Sequence, residues 1–594
     1  MAEKEAHPAL APPRFARFLY HTAVAGVAIG FVATAYQVVG LAGHLGDPAA
    51  RFLLIGALVI GLGYPLVRFA ALPVTTARER VLWLAIVAVV VFDVLLGLTP
   101  PTARDELTHH LAVPRLYAER GRIFEIPFSL PSYYPMLLDM LYIPFAGGPR
   151  DFIPKVIHGA FGFLTGALLY GYLSLRLSPA YGLLGWFFFA STPVVMRLAS
   201  QAYVDLGLAF FATASLLGTL VWKETRGYRW LITAGLSAGF ALATKPNGIL
   251  FFVIAYLLLL KHLGPSAPLR AWGPKALLFA ACALAAFGPW LARNYVWTGN
   301  PLFPFLADWF GGEPVSADPG LGVLATRRLL YGESWWEIAL VPVRLFFFGR
   351  DDDPRRFDGV LNPMLIVFLP WAFRGKWRDE KIFLFLFALC YLVYAVFLAD
   401  LRTRYVLPIV PPLVILLVYA VHNIYLRISR PRLLFAALLG LVSLNVAYAA
   451  SYFARVSAAG YLLGIESRDE YLTRFLPEYP IFLYANSRLP RSARVYLVFV
   501  GRRAYYLRRD YFHDYGELPR FLVDAIDKAA EPKALADALK RKDLTHLVVR
   551  ENLLRRFLVD NLSPQKLALW ESFAARSLRR LAHANDCSLY AILG

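Results

Sequence analysis

Residues 81–98 read VLWLAIVAVVVFDVLLGL, and residues 99–114, TPPTARDELTHHLAVP, follow them directly. The first stretch is apolar and close to the roughly 20 residues that a helix needs to cross a bilayer. The second stretch places Asp105, Glu106, His109 and His110 immediately after that run. The two stretches together predict a membrane protein that carries acidic and imidazole groups at the membrane surface.

The composition of the whole chain supports this interpretation. The 594 residues are 58% hydrophobic and only 17% charged, a balance far too apolar for an ordinary soluble enzyme. Many of the basic residues behind the formal charge of +20 lie in short connectors between apolar runs, where Lys and Arg set membrane topology. No nucleic-acid-reading motif accompanies the charge, so nucleic-acid binding is not expected. The three cysteines form neither a disulfide framework nor a zinc-binding spacing.

About thirteen apolar segments are predicted as membrane-spanning helices, in a mostly α polytopic domain over residues 1–452. They are 18–42, 51–70, 81–98, 154–175, 180–196, 203–222, 230–245, 247–261, 275–292, 360–374, 381–399, 405–421 and 432–452. The basic connectors then fall on one side, which is predicted to be cytoplasmic together with the N-terminus. The loops 99–153 and 293–359 fall on the outer side. The sequence KPNG, from Lys245 to Gly248, should divide residues 231–261 into two helices that form a hairpin with its tip on the outer side.

Residues 453–594 are predicted to form a linker and a small periplasmic α/β domain. The β-branched and aromatic runs 493–500, 544–549 and 587–593 indicate strands, and amphipathic periodicity indicates helices over 518–530, 532–542 and 564–582. Four arginine pairs could contact anionic headgroups or form a solvated basic face. They are Arg502/Arg503, Arg508/Arg509, Arg555/Arg556 and Arg579/Arg580.

The acid and histidine cluster after residue 98 has two interpretations. Thr102 and Asp105 have the spacing of a capping box, and acids in a first turn complement the helix dipole. Helical spacing also pairs Asp105 with His109 and Glu106 with His110. Such pairs could hold a divalent metal, with Asp105 and His109 as ligands, or bind and deprotonate a polar substrate.

Further candidate residues recur at the predicted outer ends of the apolar runs. Asp205 is costly this close to hydrocarbon, so it should face a polar cavity or cap an interfacial helix. The four cations Lys245, Arg293, Arg402 and Arg404 could each snorkel to headgroups or together cradle a phosphate. Tyr133 and Tyr134 could stack on a sugar or anchor the loop in the interface, and Tyr405 is a further substrate-binding candidate. His158 is expected to be a hydrogen-bonded helix residue and not a ligand.

Six segments in order resemble the GT-C superfamily of integral-membrane glycosyltransferases, in particular the bacterial branch related to protein O-mannosyltransferases and the lipid A aminoarabinose transferase. They are residues 104–121, 132–145, 200–217, 235–248, 289–305 and 404–413. The resemblance implies an inner-membrane enzyme that moves a hexose or pentose, with inversion, from a polyprenyl-phosphate donor to a hydroxyl of a lipid, polysaccharide or protein acceptor. It implies that Asp105 is the catalytic base, that Asp205 helps to build the site, and that Lys245 contacts the donor. Glu106, His109 and Asp205 are then candidates to orient Asp105 or to hold a metal.

Two alternatives use the same lipid-phosphate contacts. A flippase for lipid-linked sugars would be expected to show internal repeats and charged sites in mid-membrane, whereas here the polar residues cluster at one side. A polysaccharide polymerase or ligase would not need an acid at residue 105. Substitution of Asp105 therefore separates these readings.

Overall fold

The computed structural model describes residues 13–263, 268–310, 322–398, 401–516 and 518–593. They form two compact units. The helical unit comprises Met1–Leu98, Pro135–Leu141 and Ile153–Ala458, and the α/β unit comprises Thr99–Tyr134, Tyr142–Phe152 and Ala459–Gly594. The segment after residue 98 therefore packs with the C-terminal residues into one unit.

Within the described ranges, the helical unit contains thirteen main helices. They are α1 (Pro13–Leu41), α2 (Pro48–Ala70), α3 (Ala77–Gly97), α4 (Ile153–Arg176), α5 (Pro179–Ala190), α6 (Pro193–Ala199), α7 (Asp205–Thr225), α8 (Tyr228–Thr244), α9 (Gly248–Leu263), α10 (Leu269–Thr298), α11 (Arg378–Leu398), α12 (Val410–Tyr425) and α13 (Pro431–Val456). Short helices between α10 and α13 are Ala307–Phe310, Val323–Ala325, Thr326–Leu330, Trp335–Ala339, Val341–Arg344, Pro354–Arg356, Met364–Val367, Leu369–Ala372 and Thr403–Ile409.

Within the described residues, nine helical segments are long and apolar enough to cross a membrane, and the bent pair α5 and α6 would make a tenth. The chain is a multi-pass membrane protein. The predicted span 180–196 is divided between α5 and α6, which are bent by 71° relative to each other. Residues 360–374 also differ from the prediction, because they contain the short helices Met364–Val367 and Leu369–Ala372 in place of one continuous helix. Pro363 and Pro370 explain the difference, because proline removes a backbone donor and clashes with the preceding turn.

The predicted break at KPNG is confirmed, since α8 ends at Thr244 and α9 begins at Gly248. Gly248 is required there because a Cβ atom would lie 2.3 Å from the carbonyl oxygen of Ala241. Gly239 allows a similarly close approach of α8 to α10, where a Cβ would lie 2.2 Å from the Ala283 carbonyl oxygen. Small residues at such crossings are typical of helix packing in membranes.

A five-stranded sheet forms the centre of the α/β unit. Its strands are β1 (Arg494–Val498), β2 (Asp510–Phe512), β3 (His546–Arg550), β4 (Leu578–Ala584) and β5 (Cys587–Ile592), in the order β2-β1-β3-β5-β4. β1 runs parallel to β2 and β3, whereas β5 is antiparallel to β3 and β4. The helices are α14 (Arg468–Phe475), α15 (Tyr479–Arg488), α16 (Arg520–Lys528), α17 (Pro532–Lys540), α18 (Glu551–Asn561) and α19 (Pro564–Ser577).

The three predicted strands are confirmed, but the predicted helix 564–582 is wrong beyond Ser577, where β4 begins. Residues 578–582 pair with β5 at the sheet edge, and this long-range pairing overrides their helical pattern. Two apolar clusters cover the two faces of the sheet. Leu116 and Phe128, from the segment after residue 98, pack against one of them.

That segment contains a π-helix (Glu106–His110) and an α-helix (Ala112–Arg120). It also contains the short helices Leu130–Tyr133 and Ile143–Phe145, and Leu137–Tyr142 spans the unit boundary. Arg115 anchors it, because its buried guanidinium donates to the carbonyl oxygens of Tyr505 and Leu507 at 2.7 and 2.6 Å. The acidic cluster of the opening sequence is thereby fixed to the α/β unit.

Candidate functional site

Asp205 and Lys245 form a buried ion pair in the helical unit. Asp205 is the first residue of α7, and Lys245 follows the last residue of α8. The Lys245 ammonium lies 2.6 Å from Oδ1 of Asp205, whose side chain is 1% exposed. The other oxygen, Oδ2, is buried and has no hydrogen-bond partner in the part of the chain that the structure describes. A buried carboxylate usually has all its bonds made, so this one is half-used.

Two tyrosines connect this ion pair to Arg404. The Lys245 ammonium lies 4.7 Å from the ring centre of Tyr405. The Arg404 guanidinium lies 5.2 Å from the same ring and 4.8 Å from the ring of Tyr203. These distances are within the range of cation–π attraction. Two cations therefore lie against the same aromatic ring, and one of them is paired with a buried carboxylate, an arrangement that suits an anionic ligand such as phosphate.

His158 positions the end of α7 that carries Asp205. Its Nδ1 lies 2.9 and 2.7 Å from the carbonyl oxygens of Leu198 and Gln201. Its Nε2 accepts the backbone N–H of Leu206 at 2.9 Å. These partners require a neutral ring with the proton on Nδ1. His158 is thus the hydrogen-bonded helix residue that the sequence predicted, and it caps α7.

The structure places the other two predicted cations in different surroundings. Arg293, on α10, lies 4.8 Å from the rings of both Trp290 and Trp297 and donates to the side-chain oxygen of Asn294. Arg402 lies 3.6 Å from a carboxylate oxygen of Asp358. The phosphate-binding role of both residues stays a prediction.

In the α/β unit, Glu106 caps the helix that follows Pro101. Its carboxylate is 1% exposed and accepts the backbone N–H groups of Thr102 and Ala103 at 3.1 and 2.8 Å. The capping role considered for Asp105 is filled by Glu106. Asp105 precedes the π-helix without a side-chain capping bond and is half-buried.

The two histidines lie side by side on the π-helix. Their ring centres are 4.1 Å apart, and His109 Nδ1 is 2.8 Å from the hydroxyl of Thr108. His110 is buried, and His109 is half-buried. Across the described ranges, no group of three or more His, Cys, Asp or Glu side chains is placed to hold a metal ion. A metal bound by Asp105 and His109 stays a prediction, and its remaining ligands would have to be other than His, Cys, Asp or Glu side chains of the described residues.

Arg502 is the neighbour of Asp105 that the sequence did not reveal. It follows β1, and it interacts electrostatically with Arg104, Asp105 and Tyr134. Burial and the charge of Arg104 lower the pKa of Arg502, although Asp105 opposes this. Nearly 400 residues of chain separate the two positions, so no local pattern could have paired them.

The two tyrosines of this segment differ in exposure. Tyr133 is 3% exposed and donates a hydrogen bond of 2.6 Å to Glu125. Burial and the Glu125 charge raise its pKa above the usual value. Tyr134 is half-buried. Of the two, Tyr134 has the ring that a sugar could reach.

The chain is similar to membrane glycosyltransferases. Residues 152–292, which include Asp205 and Lys245, match the family model described as dolichyl-phosphate-mannose-protein mannosyltransferase. The fold resembles ArnT from Cupriavidus metallidurans in the apo state, with a TM-score of 0.55 and 16% identity over 85% of this chain and 96% of that chain. It also resembles the same protein bound to undecaprenyl phosphate, with a TM-score of 0.54 and 17% identity over 87% and 98%. No curated protein matches the sequence significantly.

These findings confirm the resemblance to the GT-C superfamily, and the fold is the ArnT-like GT-C fold. At this level of identity the structural likeness concerns the fold, and it leaves the reaction to be argued from the residues.

Proposed function

We propose that the protein is an inverting glycosyltransferase that moves a sugar from a polyprenyl-phosphate donor to an acceptor hydroxyl. The observation that carries the proposal is the group of two buried residues, Asp205 and Arg404, and two half-buried ones, Lys245 and Tyr405, on a GT-C fold. The family model that covers part of this group describes a transferase with a lipid-phosphate mannose donor. The ArnT structure with undecaprenyl phosphate supports a lipid phosphate as the donor's carrier.

In this proposal the cations act on the leaving group. As the bond between the anomeric carbon and the phosphate oxygen breaks, the polyprenyl phosphate gains one negative charge. Lys245 and Arg404, with Arg293 and Arg402 as further candidates, stabilise that charge electrostatically. Asp205 fixes the Lys245 ammonium at 2.6 Å, so less reorganisation is needed during the reaction. No cation has to be protonated or deprotonated for this role.

Asp105 acts as the general base. Its carboxylate takes the proton of the acceptor hydroxyl as the oxygen attacks the anomeric carbon from the side opposite the phosphate, which inverts the configuration. Its half-buried position supports this role. Glu106 holds the backbone in place. His109 and His110 are substrate-binding candidates, as are Tyr134 and Tyr405, while Tyr133 supports the segment from within its core.

In this proposal the reaction takes place at the outer face of the bacterial inner membrane. The basic connectors support a cytoplasmic N-terminus and a periplasmic C-terminal domain. An envelope lipid, polysaccharide or protein with a free hydroxyl is the acceptor.

The test is complementation of a gene deletion, read by mass spectrometry of the cell-envelope glycans and lipids. The wild-type gene should restore a sugar that the deletion removes. Asp105→Asn should lower the transfer rate by about 100-fold or more, the range of general-base catalysis, with normal amounts of protein in the membrane. Asp510→Asn is the matched control, because that carboxylate is exposed in the same unit and should restore transfer fully.

Full transfer by Asp105→Asn would remove the base from the mechanism. It would favour a polymerase, ligase or flippase that handles lipid-linked sugars without this acid.

A further inference from the structure

A cavity of about 290 Å³ opens in the α/β unit where the parallel strands end. Its lining includes Val498 at the end of β1, His513 just after β2 and Arg550 at the end of β3. The chain passes from β1 to β2 on one side of β1, and then to β3 on the other side of β1. The cavity thus lies at a topological switch point, where open α/β sheets bind ligands.

Four arginines line this cavity: Arg104, Arg502, Arg503 and Arg550. Two are fixed from behind by acids, since Arg503 lies 2.8 Å from the buried carboxylate of Glu478 and Arg550 lies 3.6 Å from Asp586. Arg502 donates to the backbone carbonyl of Tyr515. A set of pre-positioned guanidinium groups is the arrangement that recognises phosphate and carboxylate.

The acid and the histidine in the lining do not oppose an anion strongly. Asp514 accepts hydrogen bonds from the Tyr496 hydroxyl at 2.6 Å and the Phe521 N–H at 2.9 Å. Burial lowers the pKa of His513 to about 4, so its ring is neutral. Burial and Arg104 together also lower the pKa of Arg502. A bound anion would stabilise the Arg502 cation.

The backbone beside Arg502 is strained. Phe499, Gly501 and Arg502 have φ angles of 57°, 69° and 58°. A side chain other than glycine is unfavourable in this region, and such residues cluster at functional sites. At the cavity rim, Leu518 and Leu553 are 39% and 44% exposed. The cavity therefore combines cationic walls with an apolar edge.

We propose that this cavity binds a sugar that carries a phosphate or a carboxylate. The arginines contact the anionic group, and the rim leucines contact the apolar face of the sugar ring. The volume fits one monosaccharide with its charged substituent. Binding itself does not depend on the proposed transfer reaction, whereas a role for this ligand as part of the acceptor rests on that proposed function.

The experiment is calorimetric titration of the purified full-length protein in zwitterionic detergent. The probes are glucose 1-phosphate, glucuronate, inorganic phosphate and, as the neutral control, glucose. Glucose 1-phosphate or glucuronate should bind at least tenfold more tightly than glucose or inorganic phosphate. Arg502→Gln should weaken that binding about tenfold, and Arg502→Lys should recover only part of it, because lysine lacks the planar fork.

The matched control is Arg556→Gln on α18, whose arginine side chain is 85% exposed; it should change binding less than twofold. Asp105→Asn should bind at least as tightly as the wild type, since it removes a negative charge near Arg502. This result separates the cavity from the catalytic proposal. Equal binding of all four probes, or equal losses in the Arg502 and Arg556 variants with unchanged unfolding temperatures, would overturn the inference. Tight binding of inorganic phosphate alone would refute the sugar part of it.

Discussion

The two ends of α7 carry two buried ionic clusters of opposite character. At the first residue, Asp205 uses one carboxylate oxygen on Lys245, and the other is buried without a partner among the described residues. In the last turn, Glu224 joins Arg176 and Glu380. There each carboxylate oxygen is used: both of Glu224 and one of Glu380 on Arg176, and the other of Glu380 on the hydroxyl of Tyr419.

This difference is the one expected between a structural ionic cluster and a ligand-binding site. The cluster of Arg176, Glu224, Glu380 and Tyr419 is called the clasp below. The clasp ties α4, α7, α11 and α12 together with every carboxylate oxygen partnered, so no acceptor is left for a ligand. The Asp205 carboxylate is more deeply buried than Glu224 but keeps an unused acceptor beside two cations and two aromatic rings. Because an unmet buried oxygen costs free energy, its retention is expected where a substrate or a proton uses it.

The largest effect should come from Asp205→Asn. Asparagine keeps the shape and an acceptor for Lys245 but removes the charge that fixes the ammonium. The transfer rate should fall about 100-fold or more, as when one preorganised electrostatic contact is removed. The free energy of unfolding should fall by about 2 kcal/mol, because Lys245 loses its counter-charge. Activity assays and thermal unfolding of the purified variant measure both quantities. A strongly destabilised variant with a normal rate per folded molecule would make Asp205 a clasp.

Much of the helical unit could be predicted from sequence, because hydropathy and helix breakers act locally. The spans that became α1, α2, α3 and α4 and the break at Gly248 depend only on apolar length and on Pro or Gly. The broken segment at 360–374 shows the limit of that approach. Its residues are apolar, but Pro363 and Pro370 interrupt the helix.

The candidate site was predictable only in its residue types. Asp205, Lys245 and Arg404 stood out because charges beside apolar runs are costly. Their grouping depends on how α7, α8 and the Thr403–Ile409 helix pack, which no local pattern encodes. Tyr203 was missed because its contact with Arg404 also depends on this packing. Strand β4 was missed because its partner β5 decides its conformation, and the link from Arg502 to Asp105 is equally long-range.

In the clasp, Glu380→Gln should lower the stability of the protein but leave the transfer rate almost unchanged, unlike Asp205→Asn. Removing this charge leaves Arg176 with Glu224 alone in a buried setting, which should lower the free energy of unfolding by about 2 kcal/mol. The transfer rate per folded molecule should stay within about twofold of the wild type, because the change lies at the other end of α7. The measurement is thermal unfolding combined with active-enzyme titration.

Asp379→Asn serves as the control for Glu380. That neighbouring carboxylate is 82% exposed and lies 3.7 Å from Lys223, so its loss should change stability by only about 0.5 kcal/mol. Equal effects of the two substitutions would show that the clasp contributes no more than a surface pair.

The smallest effect is expected at Asp358, whose role is intermediate between that of the Asp205 cluster and that of the clasp. It is 3.1 Å from Arg197 and 3.6 Å from Arg402, and Thr403 bonds the neighbouring carbonyls of Phe357 and Gly359. The Asp358 loop thereby supports the segment that carries Arg404 and Tyr405. Asp358→Asn should lower the transfer rate only a few-fold, through displacement of that segment.

The pH dependence of stability provides a second measurement at Asp358. Burial raises the pKa of its carboxyl, but Arg197, the backbone N–H of Asp352 and Arg402 together more than offset this, so the pKa lies below its ordinary value. A lowered carboxyl pKa stabilises the fold above the unfolded-state pKa, and this contribution disappears as the pH falls through the folded-state pKa. The wild type should therefore exceed Asp358→Asn by about 1 kcal/mol near pH 7, and the two unfolding curves should converge below about pH 4. Asp352→Asn, which removes an 81% exposed partner of the same arginine, should follow the wild-type curve. A constant gap across the pH range would mean that the charge of Asp358 does not stabilise the loop.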